Sequence, residues 1–161
     1  MRVRGIVAAV VAGLICAMAA DAQAADRRLT AGRQAAVVKA LAGFAPVRVD
    51  IFIFGDTPEI MALTTDISAT LRQAGWRPKL WAQANTIAYG VVGVPAFARE
   101  AAGAKADAGA EALVAALKAQ KIASAKFHPF HDNEPPDRVF EGAWDSADVG
   151  AVRVYVGLNP G

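Results

Sequence analysis

The stretch from Val47 to Glu59 constrains the fold of this chain more than any other part of its sequence. It reads Val-Arg-Val-Asp-Ile-Phe-Ile-Phe-Gly-Asp-Thr-Pro-Glu. The β-branched and aromatic residues favour a strand that ends at the glycine. The Asp-Thr-Pro-Glu that follows has the chemistry of a helix start: a capping oxygen, a proline in the first turn and an acid near the positive helix end. The stretch therefore predicts a strand that leads directly into a helix.

Three helices and three further strands are predicted from hydrophobic periodicity and turn residues. The helices cover residues 30–44, 58–74 and 107–121, and the further strands cover residues 77–82, 87–94 and 151–156. Pro78 cannot donate a hydrogen bond to a ladder, which places the second strand at a sheet edge. In the fourth strand, valines alternate with Arg153 and Tyr155, a pattern typical of a half-buried strand.

After the first helix, the predicted order is β-α-β-β-α-β, so we expect an α/β (α+β) protein. This order is typical of a two-layer ferredoxin-like sandwich, here preceded by one N-terminal helix. In that arrangement the first and third strands are central, and the second and fourth lie at the edges. A small doubly wound sheet is the alternative. It requires the second and third strands to be parallel, and the short gap around Asn85 cannot supply the crossover.

The amino-terminal residues predict export. Arg2 and Arg4 precede an uncharged stretch over residues 5–20, and Ala22-Gln23-Ala24 provides a small-residue cleavage site. We expect residues 1–24 to be a Sec-type signal peptide, cleaved after Ala24 or Ala25, and residues 25–161 to form a single α/β domain in the periplasm. No stable membrane span is expected after cleavage. An uncleaved inner-membrane anchor is the alternative.

Composition excludes several kinds of activity. The one cysteine, Cys16, lies within the predicted signal, so the processed chain has no disulfide, thiolate metal site or cysteine nucleophile. Because Ile15 precedes Cys16 where a small residue is normal, we do not expect lipidation. The net charge is only +2, and the pair Arg27-Arg28 is the one basic run beyond the signal. We interpret this pair as a solvated end and expect no nucleic-acid partner.

Four short motifs carry a resemblance to known sequences. They are Ile53-Phe54-Gly55-Asp56-Thr57-Pro58-Glu59, Ala74-Gly75-Trp76, Leu113-Val114-Ala115-Ala116-Leu117 and Val154-Tyr155-Val156-Gly157-Leu158-Asn159-Pro160. The chain resembles a group of uncharacterised proteobacterial proteins with a Gly-Asp-x-x-Glu turn, a Gly-Trp helix end and a C-terminal strand closing in Val-Gly-x-x-Pro. The resemblance implies a shared fold and an envelope location. It implies no activity.

Two places in the sequence offer ligand chemistry. His128, His131, Asp132 and Glu134 form the one dense group of metal-ligating side chains, and imidazole with carboxylate suits zinc or another divalent ion. A solvated loop is the alternative, since Pro129 prevents a helix from presenting both histidines on one face. Gly55, Asp56 and Thr57 lie where a strand leads into a helix amino terminus, a common place for anion binding. There the alternative is that Asp56 or Thr57 caps the helix itself.

The sequence favours association over catalysis. It contains no Gly-x-Ser-x-Gly elbow and no motif for a cofactor, so we expect neither catalytic residues nor a cofactor. An exposed edge strand, the second or the fourth, offers a mechanism for pairing with an envelope protein or a second copy. The alternative function is binding of a small ligand or a divalent metal through the loop His128 to Glu134.

Overall fold

The computed structural model describes residues 27–82, 91–98, 102–126 and 152–160. Its helices are α1 (Ala31–Leu41, followed by a 3-10 turn Ala42–Phe44), α2 (Pro58–Gln73) and α3 (Gly103–Ala119). Its strands are β1 (Arg48–Ile53), β2 (Arg77–Ala82), β3 (Ala96–Ala98) and β4 (Val152–Val156). The predicted strand that leads into a helix is therefore confirmed. The signal-peptide prediction lies outside the described residues.

The four strands form one mixed sheet in the order β2-β1-β4-β3. β1 is parallel to both β2 and β4, and β3 is antiparallel to β4. The α/β class is thus confirmed, but the ferredoxin-like order is wrong for these strands. The helix α2 connects two adjacent parallel strands, β1 and β2, as a crossover connection does. Among the described strands the edges are β2 and β3, which agrees with the expectation that the second strand lies at an edge.

The position of β4 explains why the predicted order fails. All five of its residues are buried, including Arg153 and Tyr155, whereas the alternating pattern had indicated a half-buried edge strand. Arg153 lies directly opposite Asp50 on β1, and Tyr155 lies opposite Phe52. The polar and aromatic positions of β4 therefore face similar positions on β1, and β4 takes the centre of the sheet. The third strand was predicted over 87–94, of which residues 87–90 lie outside the described part. Residues 91–94 form only an isolated bridge at Val92, and the observed strand β3 follows at Ala96–Ala98.

The main hydrophobic core lies between the three helices and one face of the sheet. Val49, Ile51 and Ile53 of β1 point into it together with Val152, Val154 and Val156 of β4, and the helices contribute residues such as Ile60, Ile67, Leu113 and Leu117. Gly109 of α3 lets the ring of Trp76 approach closely, since a Cβ there would lie 3.3 Å from that ring. Trp76 follows the Gly75 turn and packs back on this core. None of the helices within the described ranges is long and apolar enough to cross a bilayer.

The carboxyl end of β4 is held by backbone bonds on both sides. Phe54 N donates to Val156 O over 2.9 Å on the β1 side, and Gly157 N donates to Gly93 O over 3.0 Å on the other. Close packing requires a glycine here, because a Cβ on Gly157 would lie 2.0 Å from the carbonyl oxygen of Val91. The strand therefore continues into Gly157 with no room for a side chain.

Replacing Gly157 by alanine tests this packing. We expect Gly157→Ala to lower the free energy of unfolding by about 3 kcal/mol or more, because the obstructing atom is backbone and cannot rotate away. Gly32→Ala is the matched control. A Cβ at Gly32 of α1 meets nothing within 4 Å, so that variant should gain up to about 1 kcal/mol from helix propensity. Urea unfolding measures both, and equal stability of the two variants would contradict the packing at Gly157.

Candidate functional site

The outer edge of β2 carries backbone groups that no described strand pairs. Arg77 N donates to Val47 O over 2.8 Å, so the backbone of Arg77 faces β1. Backbone groups alternate in direction along a strand, so those of Lys79 and Trp81 also face β1 and those of Pro78, Leu80 and Ala82 face outwards. None of the strands in the described ranges pairs with this side of β2.

The sequence of β2 suits an edge. Pro78 has no N–H, and it occupies a position where the missing donor would have pointed away from the sheet, so the β1–β2 ladder loses nothing. Arg77 and Lys79 are exposed, and the Leu80 side chain keeps 45 % of its surface accessible. Within the described residues, this edge is therefore unpaired at its backbone and exposed at the side chains of Arg77, Lys79 and Leu80.

The opposite edge of the sheet is covered by the chain itself. Val94 N donates to Ala123 O over 2.8 Å, and Ala96 N donates to Ala125 O over 3.0 Å. The Ser124 hydroxyl adds a bond of 2.6 Å to Val94 O. The segment that follows α3 thus takes the outward backbone donors beside β3. β4 pairs with strands on both sides, so the prediction that the fourth strand offers a free edge is wrong.

A row of aromatic rings crosses the face of the sheet opposite the helices and ties β2 to the other strands. Trp81 of β2 stacks on Phe52 of β1, with ring centroids 6.1 Å apart, and Phe52 stacks on Tyr155 of β4 at 5.3 Å. Phe97 of β3 stacks on Tyr155 at 5.7 Å. Each of the four strands thus contributes one ring to a continuous row. Cross-strand aromatic pairs of this kind stabilise sheets. β2 is an edge strand, but this row fixes its position.

A buried carboxylate also holds β2. The Trp81 ring donates from Nε1 to Asp50 Oδ1 over 2.9 Å, and Asp50 is only 3 % exposed. On β2, Lys79 lies directly opposite Asp50, and its ammonium group lies 3.8 Å from the centroid of the Trp81 ring. Arg153 lies opposite Asp50 on β4. Trp81 is the partner that the sequence did not suggest.

The turn formed by Gly55, Asp56 and Thr57 lies at the carboxyl end of β1, as the sequence predicts. Thr57 Oγ1 accepts a hydrogen bond from Ile60 N over 3.3 Å, which confirms the capping role. Gly55 has a φ of 131°, and a Cβ there would lie 2.6 Å from the end of the Ile60 side chain. The cap occupies one free donor of α2. Anion binding at this turn stays a prediction.

Arg27 lies beside this turn and was not foreseen as a structural residue. Its guanidinium lies 2.8 Å from Glu59 Oε1 in the first turn of α2 and donates to Gly157 O over 3.1 Å. Burial lowers the pKa of Arg27 from its ordinary value, and the attraction of Glu59 opposes that lowering. Arg27 is only 5 % exposed, so the interpretation of Arg27-Arg28 as a solvated end is wrong for Arg27.

Arg28 and Leu29 extend the same attachment along α2. Arg28 makes two bonds to the Asp66 carboxylate, of 2.6 and 3.0 Å, which raise the pKa of the guanidinium. Leu29 N donates to the same carboxylate over 3.1 Å. Glu59 and Asp66 lie seven residues apart, so they share one side of α2. These two acidic residues on one side of α2 were the feature of the sequence that indicated a basic segment packed against the helix.

The metal-site prediction falls on residues outside the described part. His128, His131, Asp132 and Glu134 all lie between residues 127 and 151, and binding there stays a prediction. Across the described segments, no group of three or more His, Cys, Asp or Glu side chains is placed to hold a metal ion.

Comparison with protein-family models, with curated proteins and with solved structures finds no match to this chain. The resemblance to the proteobacterial envelope group therefore stays a prediction. Among the described residues, the unpaired outer side of β2 is the most distinctive feature that bears on function.

Replacing Arg27 by alanine tests the attachment of the amino-terminal segment. We expect Arg27→Ala to lower the free energy of unfolding by about 2 to 3 kcal/mol, because it leaves the Glu59 carboxylate and the Gly157 carbonyl without this donor. Arg28→Ala is the matched control and should cost less, since half of the Arg28 side chain is exposed. Urea unfolding of the processed protein measures both, and a larger loss for Arg28→Ala would contradict this assignment.

Proposed function

We propose that this protein is an exported periplasmic α/β module with a non-enzymatic role, and that it associates with an envelope protein or with itself through the outer edge of β2. The observation that carries this proposal is the difference between the two sheet edges. The backbone beside β3 is bonded to residues 123–125, whereas no described strand pairs with the outer side of β2.

An exposed strand edge is a template for pairing with another chain. Main-chain hydrogen bonds provide the affinity in such complexes, and the alternating side chains provide the specificity. β2 presents outward backbone groups at Leu80 and Ala82, and the bond between Trp81 and Asp50 together with the aromatic row holds the strand in place. A fixed edge strand binds with less loss of conformational freedom than a mobile one.

Two variants at Leu80 test the proposal. Leu80→Pro removes one outward N–H without touching the ladder to β1, and Leu80→Ala removes the same side chain but keeps that N–H. With an affinity-tagged protein crosslinked in living cells, we expect Leu80→Pro to recover at least about fivefold less partner than Leu80→Ala, which corresponds to one lost hydrogen bond of about 1 kcal/mol. Pro78→Ala adds an outward donor and should recover more than the wild type.

The stability of each variant is the control for this experiment, since a proline that unfolds β2 would also lower recovery. Circular dichroism and urea unfolding of the purified variants separate the two causes. Equal recovery with Leu80→Pro and Leu80→Ala, both folded, would overturn association through β2.

Export supplies a separate prediction. Cleavage after Ala24 or Ala25 gives a mature chain that starts at Ala25 or Asp26, and the intact mass of the protein from the periplasmic fraction measures this directly. A protein that keeps residues 1–24 and fractionates with the membrane would contradict cleavage and support an anchor.

A further inference from the structure

We propose that the partner of β2 is an extended segment in which acidic and apolar residues alternate. This inference rests on the proposed function and specifies the partner's chemistry. It follows from the side chains that β2 presents on its two faces.

The residues of β2 alternate between cationic and apolar. Arg77 and Lys79 point to the face opposite the helices, and Pro78 and Leu80 point to the helix-bearing face. Both cations are exposed, and Leu80 is one of four large hydrophobic side chains that are exposed in the described part. A strand that pairs with β2 extends both faces of the sheet. Its residues next to Arg77 and Lys79 then lie on one face, and its residues next to Leu80 lie on the other.

The charged side chains of β2 and of the last two turns of α2 are all cationic. The stretch Ile67–Ala82 contains Arg72, Arg77 and Lys79 and no acidic residue. On β1, Arg48 lies directly opposite Arg77. The nearest acid on β1, Asp50, is buried and accepts the Trp81 hydrogen bond. Carboxylates on an added strand would lie beside the exposed Arg77 and Lys79 and form favourable cross-strand charge pairs with them.

The hydrogen-bonding pattern restricts where the partner binds. Pro78 has no donor, so the outward pairs of N–H and C=O begin at Leu80, next to Lys79. An apolar partner residue beside Leu80 covers a side chain that is 45 % exposed, and acidic residues on the other face reach Lys79 and Arg77. A second copy of β2 does not supply those acids, because the strand itself contains none. Symmetric pairing of β2 with β2 of a second copy therefore does not fit this inference.

Labelled peptides test this inference on the processed protein. The probe is a short fluorescein-labelled peptide of alternating Glu and Val, and the controls are a peptide of the same composition in two blocks and an alternating Lys and Val peptide. Fluorescence anisotropy at low ionic strength measures binding. We expect the alternating acidic peptide to bind about tenfold more tightly than either control, as two favourable cross-strand charge pairs together give.

Charge reversal supplies the matched variants. The double variant Arg77→Glu with Lys79→Glu should lose about tenfold for the acidic peptide and gain binding of the Lys and Val peptide. The double variant Lys105→Glu with Lys118→Glu makes the same change in net charge at exposed positions of α3 and should keep the wild-type preference.

The outcomes separate this inference from the proposed function. If Leu80→Pro abolishes peptide binding and the reversal at Arg77 and Lys79 changes nothing, association through β2 stands and the acidic partner is overturned. Both are overturned if Leu80→Pro binds like the wild type and vesicles of anionic phospholipid bind with the same dependence on Arg77 and Lys79. The edge would then be a site for an anionic surface.

Discussion

The parallel pairing of β1 with a strand on each side is the interaction on which the rest of this structure depends. β2 and β4 both pair with β1, and β4 is the one described strand that pairs with β3. Ile51 and Phe52 at the centre of β1 are fully buried on opposite faces, one under the helices and one in the aromatic row. A single strand therefore organises both layers of packing, and the position of β2 at the edge is a consequence of it.

The parts of the fold that could be predicted from the sequence are those decided by local chemistry. The strand and helix start between Val47 and Glu59 follow from β-propensity, a glycine and a capping threonine, and the edge position of β2 follows from Pro78. The order of the sheet could not be predicted, because it depends on pairing between distant segments. Arg153 and Tyr155 gave β4 the pattern of a half-exposed strand, although Asp50 and Phe52 lie opposite them.

In the candidate site, too, the features decided by local chemistry could be predicted, and those decided by contacts between distant segments could not. A free edge at β2 was an expectation from one proline, whereas the protection beside β3 depends on Ala123 and Ala125, which have no distinctive side chains to reveal it. Backbone hydrogen bonds do not depend on the side chain, so the sequence does not reveal them. Arg27 was misread for a related reason: a pair of arginines near a chain end is usually solvated, and only the spacing of Glu59 and Asp66 on α2 marked the exception.

The attachment of Arg27, Arg28 and Leu29 makes the two ends of the described chain unequal as points for fusion. Arg27 and Leu29 are buried, so a tag or reporter joined at this end would have to share space with α2 and the end of β4. Leu158, Asn159 and Pro160 at the other end are exposed. A label on the exposed side chain of Asn159 therefore meets fewer packed neighbours than one at Arg27 or Leu29.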